Sequence, residues 1–337
     1  METGASTASS LFPLLKEVSR SFYLTLRVLP RAVRPQIGLA YLLARATDTI
    51  ADTKIVAPAQ RLKALGALRD RILGSGTQAL DFGELAAHQS LPSEARLLKR
   101  IEEALSALAG FSGPDQPLIR DVLATITSGQ QLDLVRFGEA GAERIVALAD
   151  DRELDDYTYR VAGCVGEFWT KLCRAHLFPD EAVSDSFLLT NGVRFGQGLQ
   201  LVNILRDLPR DLRAGRCYLP ADRLAALDLA PADLLLPGSA RRLRPLSDAW
   251  LARAEAHLAA GWAYTNALPF RCARVRLACA WPILIGLKTL RQLREGNVLD
   301  AGHRIKVSRA QVRGVLARTI LFYAWPAAWE SLADELR

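Results

Sequence analysis

Asp48 and Asp52 stand one helical turn apart in the apolar run "LLARATDTIADT" at 42–53. Like charges at that spacing repel by roughly 0.2–0.5 kcal/mol on an exposed helix, and by more when half-buried. Either Arg45 neutralises them or a cation belongs between them. A second acidic set answers the first. In "NILRDLPRDL", Asn203, Asp207 and Asp211 fall at i, i+4 and i+8, with Gln200 about one turn earlier. Carboxylates and amide carbonyls are hard oxygen ligands that suit Mg²⁺, whose shell substrate phosphates commonly complete. Two facing helices of this kind would hold magnesium ions around a diphosphate and stabilise it as it leaves carbon. The competing reading of each pair alone is a solvated, ion-paired helix face. Two pairs in apolar helices, one extended by Asn203, favour the metal reading.

The elements that must carry these residues read as helices. Apolar periodicity predicts helices over 11–30, 34–53, 59–73, 93–110, 117–137, 143–178, 181–214, 244–267 and 270–296, with an amphipathic tail over 306–336. Pro30 and Pro58 mark ends, "GSGTQALDFGE" reads as a loop, and a proline-rich connection precedes residue 244. Neither a repeat nor a linker divides the chain. The expectation is an all-α, single-domain bundle over 11–337 behind a flexible N-terminus at 1–10.

Composition narrows the partners. Of 337 residues half are hydrophobic, and 43 Lys and Arg against 36 Asp and Glu give a charge of +7. That balance suits phosphates or an anionic membrane surface. The arginines are scattered through hydrophobic helices, so nucleic acid is not expected. The 5 cysteines form no CxxC pair and the 4 histidines lie far apart, which predicts buried, reduced thiols and no zinc site. No signal-peptide core follows "METGASTASS". Apolar uncharged stretches such as "LACAWPILIGL" and "TILFYAWPAAW" fall short of the roughly 20 residues that span a bilayer. A cytoplasmic protein is expected, in peripheral contact with the inner membrane face through "RGVLARTILFYAWPAAWESL".

Four segments, "SRSFYLTLRVLP" (19–30), "AYLLARATDTIAD" (40–52), "YTYRVAGCVG" (157–166) and "QLVNILRDLPRD" (200–211), together resemble the squalene/phytoene synthase family. These proteins join two prenyl diphosphates head to head. The resemblance implies an isoprenoid-synthase fold with a central cavity. It also implies metal and diphosphate roles for Asp48, Asp52, Asn203, Asp207 and Asp211, with a substrate shell of Ser19, Arg20, Ser21, Phe22, Tyr41, Arg45, Gln200 and Arg206. A tyrosine directly precedes Val-Ala-Gly in eukaryotic squalene synthases, where this chain has Arg160. The proton-removing role therefore stays open between Tyr157 and Tyr159.

"CAWPILIGLKTL" (279–290) is more similar to the squalene branch than to the phytoene branch, although Ala278 replaces that branch's aromatic. "HRIKVSRAQVR" (303–313) offers Arg304, Lys306 and Arg309 to a cofactor phosphate, or is simply a basic helix start. The implied reaction couples two farnesyl diphosphates through presqualene diphosphate, then reduces the product with NADPH. Phytoene or dehydrosqualene synthesis, which needs no NADPH, and a non-catalytic membrane-surface scaffold are the alternatives.

Overall fold

A computed structural model describes residues 11–19, 22–111, 113–300, 302 and 305–336. Helices dominate, and the chain divides into two compact units. One runs up to Gly138 and includes Phe168–Asp180; the other holds Glu139–Glu167 and the chain from Glu181 onward.

The first unit contains α1 (Phe12–Val18), α2 (Phe22–Val28), α3 (Arg34–Asp52), α4 (Pro58–Leu73), α5 (Pro92–Lys99), α6 (Ile101–Ala109) and α7 (Asp115–Arg136). α3 is its central helix. Pro35 fits the first turn, where the missing N–H costs nothing. Ile37, Leu39, Leu42, Leu43, Ala46 and Ile50 are buried as α3 packs on α4 and α7. Each buried Leu or Ile contributes about 1.5–3 kcal/mol. The helix stops at Asp52. Thr53 leaves helical geometry, its Oγ1 donates to the Thr49 carbonyl at 2.7 Å, and Arg61 Nη1 donates to the Ala51 carbonyl at 2.5 Å.

Two long expected helices are broken here. Residues 11–30 form α1 and α2, because Phe22 N–H closes a tight turn onto the Ser19 carbonyl at 2.9 Å. Residues 93–110 divide at Arg100, whose N–H is shared between the Arg96 and Leu97 carbonyls.

The second unit contains β1 (Val146–Leu148), α8 (Asp151–Thr158), a π-helical turn (Tyr159–Gly163) and the start of α9 (Cys164–Leu177). α10 (Asp185–Arg213), β2 (Arg216–Pro220), α11 (Ser239–Ala267), α12 (Ala273–Glu295), α13 (Arg309–Phe322) and α14 (Pro326–Asp334) follow. β1 and β2 pair in parallel, Val146 opposite Arg216 and Ala147 opposite Cys217. The sequence reading assigned 143–178 entirely to helix and missed both strands. Three to five residues carry almost no periodicity, and the partner strand is remote in sequence.

α10 packs on α11, α12 and the π turn. Glycines allow the closest approach. A Cβ on Gly166 would lie 1.9 Å from the Gly192 carbonyl oxygen, and one on Gly196 would lie 2.2 Å from that of Ala162. The small residues of "VAGCVG" thus serve backbone-to-backbone helix contact. All five cysteines are buried, and none forms a disulfide among the described residues.

Candidate active site

Both acidic stripes end their helices. Asp48 and Asp52 occupy the last two turns of α3, which has no basic residue in its final turn. Asp207 and Asp211 occupy the last two turns of α10. The carbonyl end of a helix carries roughly half a negative charge, so carboxylates there raise the local cost and cations lower it. Each stripe is therefore doubly disposed to attract a cation.

In the first unit, Arg45 Nη1 donates to Asp48 Oδ2 at 2.5 Å, and Arg45 Nη2 donates to Glu94 on α5. Burial works against the Arg45 charge, yet Asp48 and then Glu94 outweigh it and raise its pKa. The Asp48 side chain stays 42% exposed, and Asp52 is exposed with no ion pair among the described residues. A cavity of about 300 Å³ opens beside them, with Arg45, Asp52, Glu94, Lys54 and His88 in its wall. Phe22 and Tyr41, both expected substrate contacts, stack at 4.9 Å. Ser19 is buried at the end of α1, and its Oγ has no hydrogen-bond partner among the described residues. Arg20 and Ser21 lie outside the described residues.

In the second unit, Asn203 is exposed, while Asp207 and Asp211 side chains are 13% and 10% exposed. Arg206 holds Asp207 through Nη2 at 2.6 Å and Nε at 3.2 Å. Arg216 on β2 reaches Asp211 at 3.5 Å, and Arg210 at 3.6 Å. Pro209 lies between the two aspartates and cannot donate to the Leu205 carbonyl. Gln200 is half-buried on the same helix.

The tyrosines differ in setting. Tyr157 is buried and stacked on Tyr218 at 4.7 Å. Tyr159 begins the π turn, a device that recurs at functional sites, and its hydroxyl donates to Glu167 Oε2 at 3.1 Å. Burial, followed by the Glu167 charge, raises its pKa. Among expected cofactor contacts, Arg304 lies outside the described residues and Arg309 opens α13. Lys306 lines a cavity of about 390 Å³ that also contains Glu295 and Asp300. A cofactor phosphate there would meet two carboxylates, so this set does not fit NADPH.

The oxygen donors do fit a hard dication. Asp48 and Asp52 in the first unit, and Asn203, Asp207 and Asp211 in the second, are the donors that would hold such ions, although no group of three or more His, Cys, Asp or Glu among the described residues is assembled for a metal. Sequence reasoning missed Glu94 and Arg216. Each meets its partner only through tertiary packing, and Glu94 by itself reads as an ordinary first-turn acid.

The squalene/phytoene synthase profile matches residues 15–311. A bifunctional lycopene cyclase/phytoene synthase of Blakeslea trispora is 28% identical over 81% of this chain, which spans only 43% of that protein. A presqualene diphosphate synthase of Zymomonas mobilis is 29% identical over 72% of this chain and 70% of its own. The solved structure of TcSQS with the ligand BPH1237 superposes with a TM-score of 0.76 over 98% of this chain and 90% of the other, at 20% identity.

Proposed function

This chain belongs to the squalene/phytoene synthase family, whose members are divalent-metal-dependent enzymes of prenyl diphosphates, and on that premise we propose that it is a squalene synthase. The observation that carries the proposal is the pair of oxygen-donor stripes at the ends of α3 and α10. In the proposed reaction the carbon–oxygen bond of one farnesyl diphosphate breaks, and the double bond of a second captures the allylic cation. Loss of a proton closes the cyclopropane of presqualene diphosphate. Loss of its diphosphate with rearrangement would give a C30 carbocation, which a hydride donor such as NADPH would have to reduce to squalene. The reductive step rests on the likeness of residues 279–290, since the Lys306 cavity gives it no support.

Bound magnesium supplies Lewis-acid stabilisation of the departing diphosphate. Arg45 and Arg206 offer charge-assisted donors to the diphosphate oxygens, and Ser19 offers a hydroxyl. Tyr157 and Tyr159 are the candidates for the proton, Tyr159 being able to pass it to Glu167.

Product release places the protein at a lipid surface in this reading. No described helix is long and apolar enough to cross a membrane. Ile320 and Leu321 are 59% exposed and Trp325 is 58% exposed, beside exposed Arg313 and Arg318. Apolar side chains flanked by cations suit an anionic bilayer interface. Salt-sensitive co-sedimentation with anionic vesicles, weakened by deleting 319–337, is the expected result; no binding at low ionic strength contradicts it.

The phytoene-type alternative is favoured by the name of the Blakeslea relative. Incubation with farnesyl or geranylgeranyl diphosphate, with and without NADPH, separates the readings. Squalene from farnesyl diphosphate only with NADPH supports the proposal. A C40 product, or a C30 product indifferent to NADPH, refutes it.

A further inference from the structure

Arg45 is held by two carboxylates of unequal character. Asp48, on the same helix, is 42% exposed, whereas Glu94 is 12% exposed on the first turn of α5. The N-terminal end of α5 favours the Glu94 charge, while Asp48, near the other end of α3, has no such support. Glu94 is thus the fixed anion of the three-membered set and Asp48 the exchangeable one. Arg45 is itself only 24% exposed, and its Nε is buried without a partner among the described residues.

A dication that takes Asp48 Oδ2 must displace the guanidinium, whose Nη1 donates to that oxygen. Stranding a largely buried arginine without an anion is strongly unfavourable. We propose that Glu94 is a positioning residue that retains Arg45 when Asp48 passes to a metal ion, so that loading never leaves the arginine unpaired. The proposal rests on the metal reading of the first stripe. With Glu94 absent, Asp48 is the remaining carboxylate on Arg45, and the metal must compete with it.

The test is Mn²⁺ alone, titrated into the full chain with free Mn²⁺ read by electron paramagnetic resonance, so that no turnover is needed. Wild type binds and Asp48→Asn binds more weakly; if the two bind alike, or wild type does not bind, the metal reading falls and this inference with it. Given that premise, Glu94→Gln should bind about tenfold more weakly. Glu94→Asp, which keeps the charge, should recover most of the affinity. Arg45→Gln should bind no more weakly than wild type, and adding Glu94→Gln to it should change affinity less than twofold. An unaltered affinity in Glu94→Gln overturns the proposal. So does an undiminished tenfold loss in the Arg45→Gln background, which would mean that Glu94 acts on the metal directly.

Discussion

The two acidic stripes share a place, the last turns of a long helix, but not a setting. The α3 stripe is open: Asp48 is more than a third exposed, Asp52 is exposed, and Arg45 is shared with Glu94. The α10 stripe is enclosed. Its aspartates are nearly buried, and three arginines surround them. Glycine contacts at Gly166 and Gly196 fix the helix above it. Local repulsion is therefore relieved by water and one shared arginine in the first case, and by three arginines in the second. The same motif spacing carries opposite consequences for stability.

Activity should treat the stripes alike, and this is the largest effect. Asp48→Asn and Asp207→Asn should each lower the turnover number about 10³-fold, corresponding to several kcal/mol of lost transition-state stabilisation. A stripe whose variant keeps full activity is not part of the reaction.

Stability should separate them. Asp211→Asn removes the charge facing Arg216 and should destabilise by roughly 1–3 kcal/mol. Asp48→Asn removes a repulsive carboxylate from a helix end and should stay within about 0.5 kcal/mol of wild type, or gain slightly. Equal losses in urea unfolding would erase the distinction.

A pH-dependent effect also belongs to the α10 side. His257 on α11 packs against Gly198 of α10. Burial, then Arg194 and Arg253, lowers its pKa from 6.5 to about 4. The unfolded chain binds that proton first as pH falls, so this contribution is intact above about 6.5 and is lost towards 4. Thermal melts over that window should show the decline, and His257→Gln should flatten it.

Helix α3 was legible almost to the residue, because its apolar stripe and the prolines at 30 and 58 that bracket it are local signals. Both DxxxD stripes were equally plain, being single-helix patterns. Other features depend on tertiary packing. The β1–β2 ribbon pairs segments far apart in the chain, and Glu94 reaches Arg45 across 49 residues. The breaks at Ser19 and Arg100 were also missed, since apolar periodicity continues across each while the backbone does not. Small residues in "VAGCVG" announced a close approach; only the structure identifies α10 as what approaches.

The most direct test of the central claim is pyrophosphate release from farnesyl diphosphate as magnesium is titrated into the chelated wild-type protein. No release is expected without a divalent ion, and magnesium should produce a rise that Asp48→Asn and Asp207→Asn both suppress. Release that persists in excess chelator, or a magnesium response that survives in both variants, would contradict it.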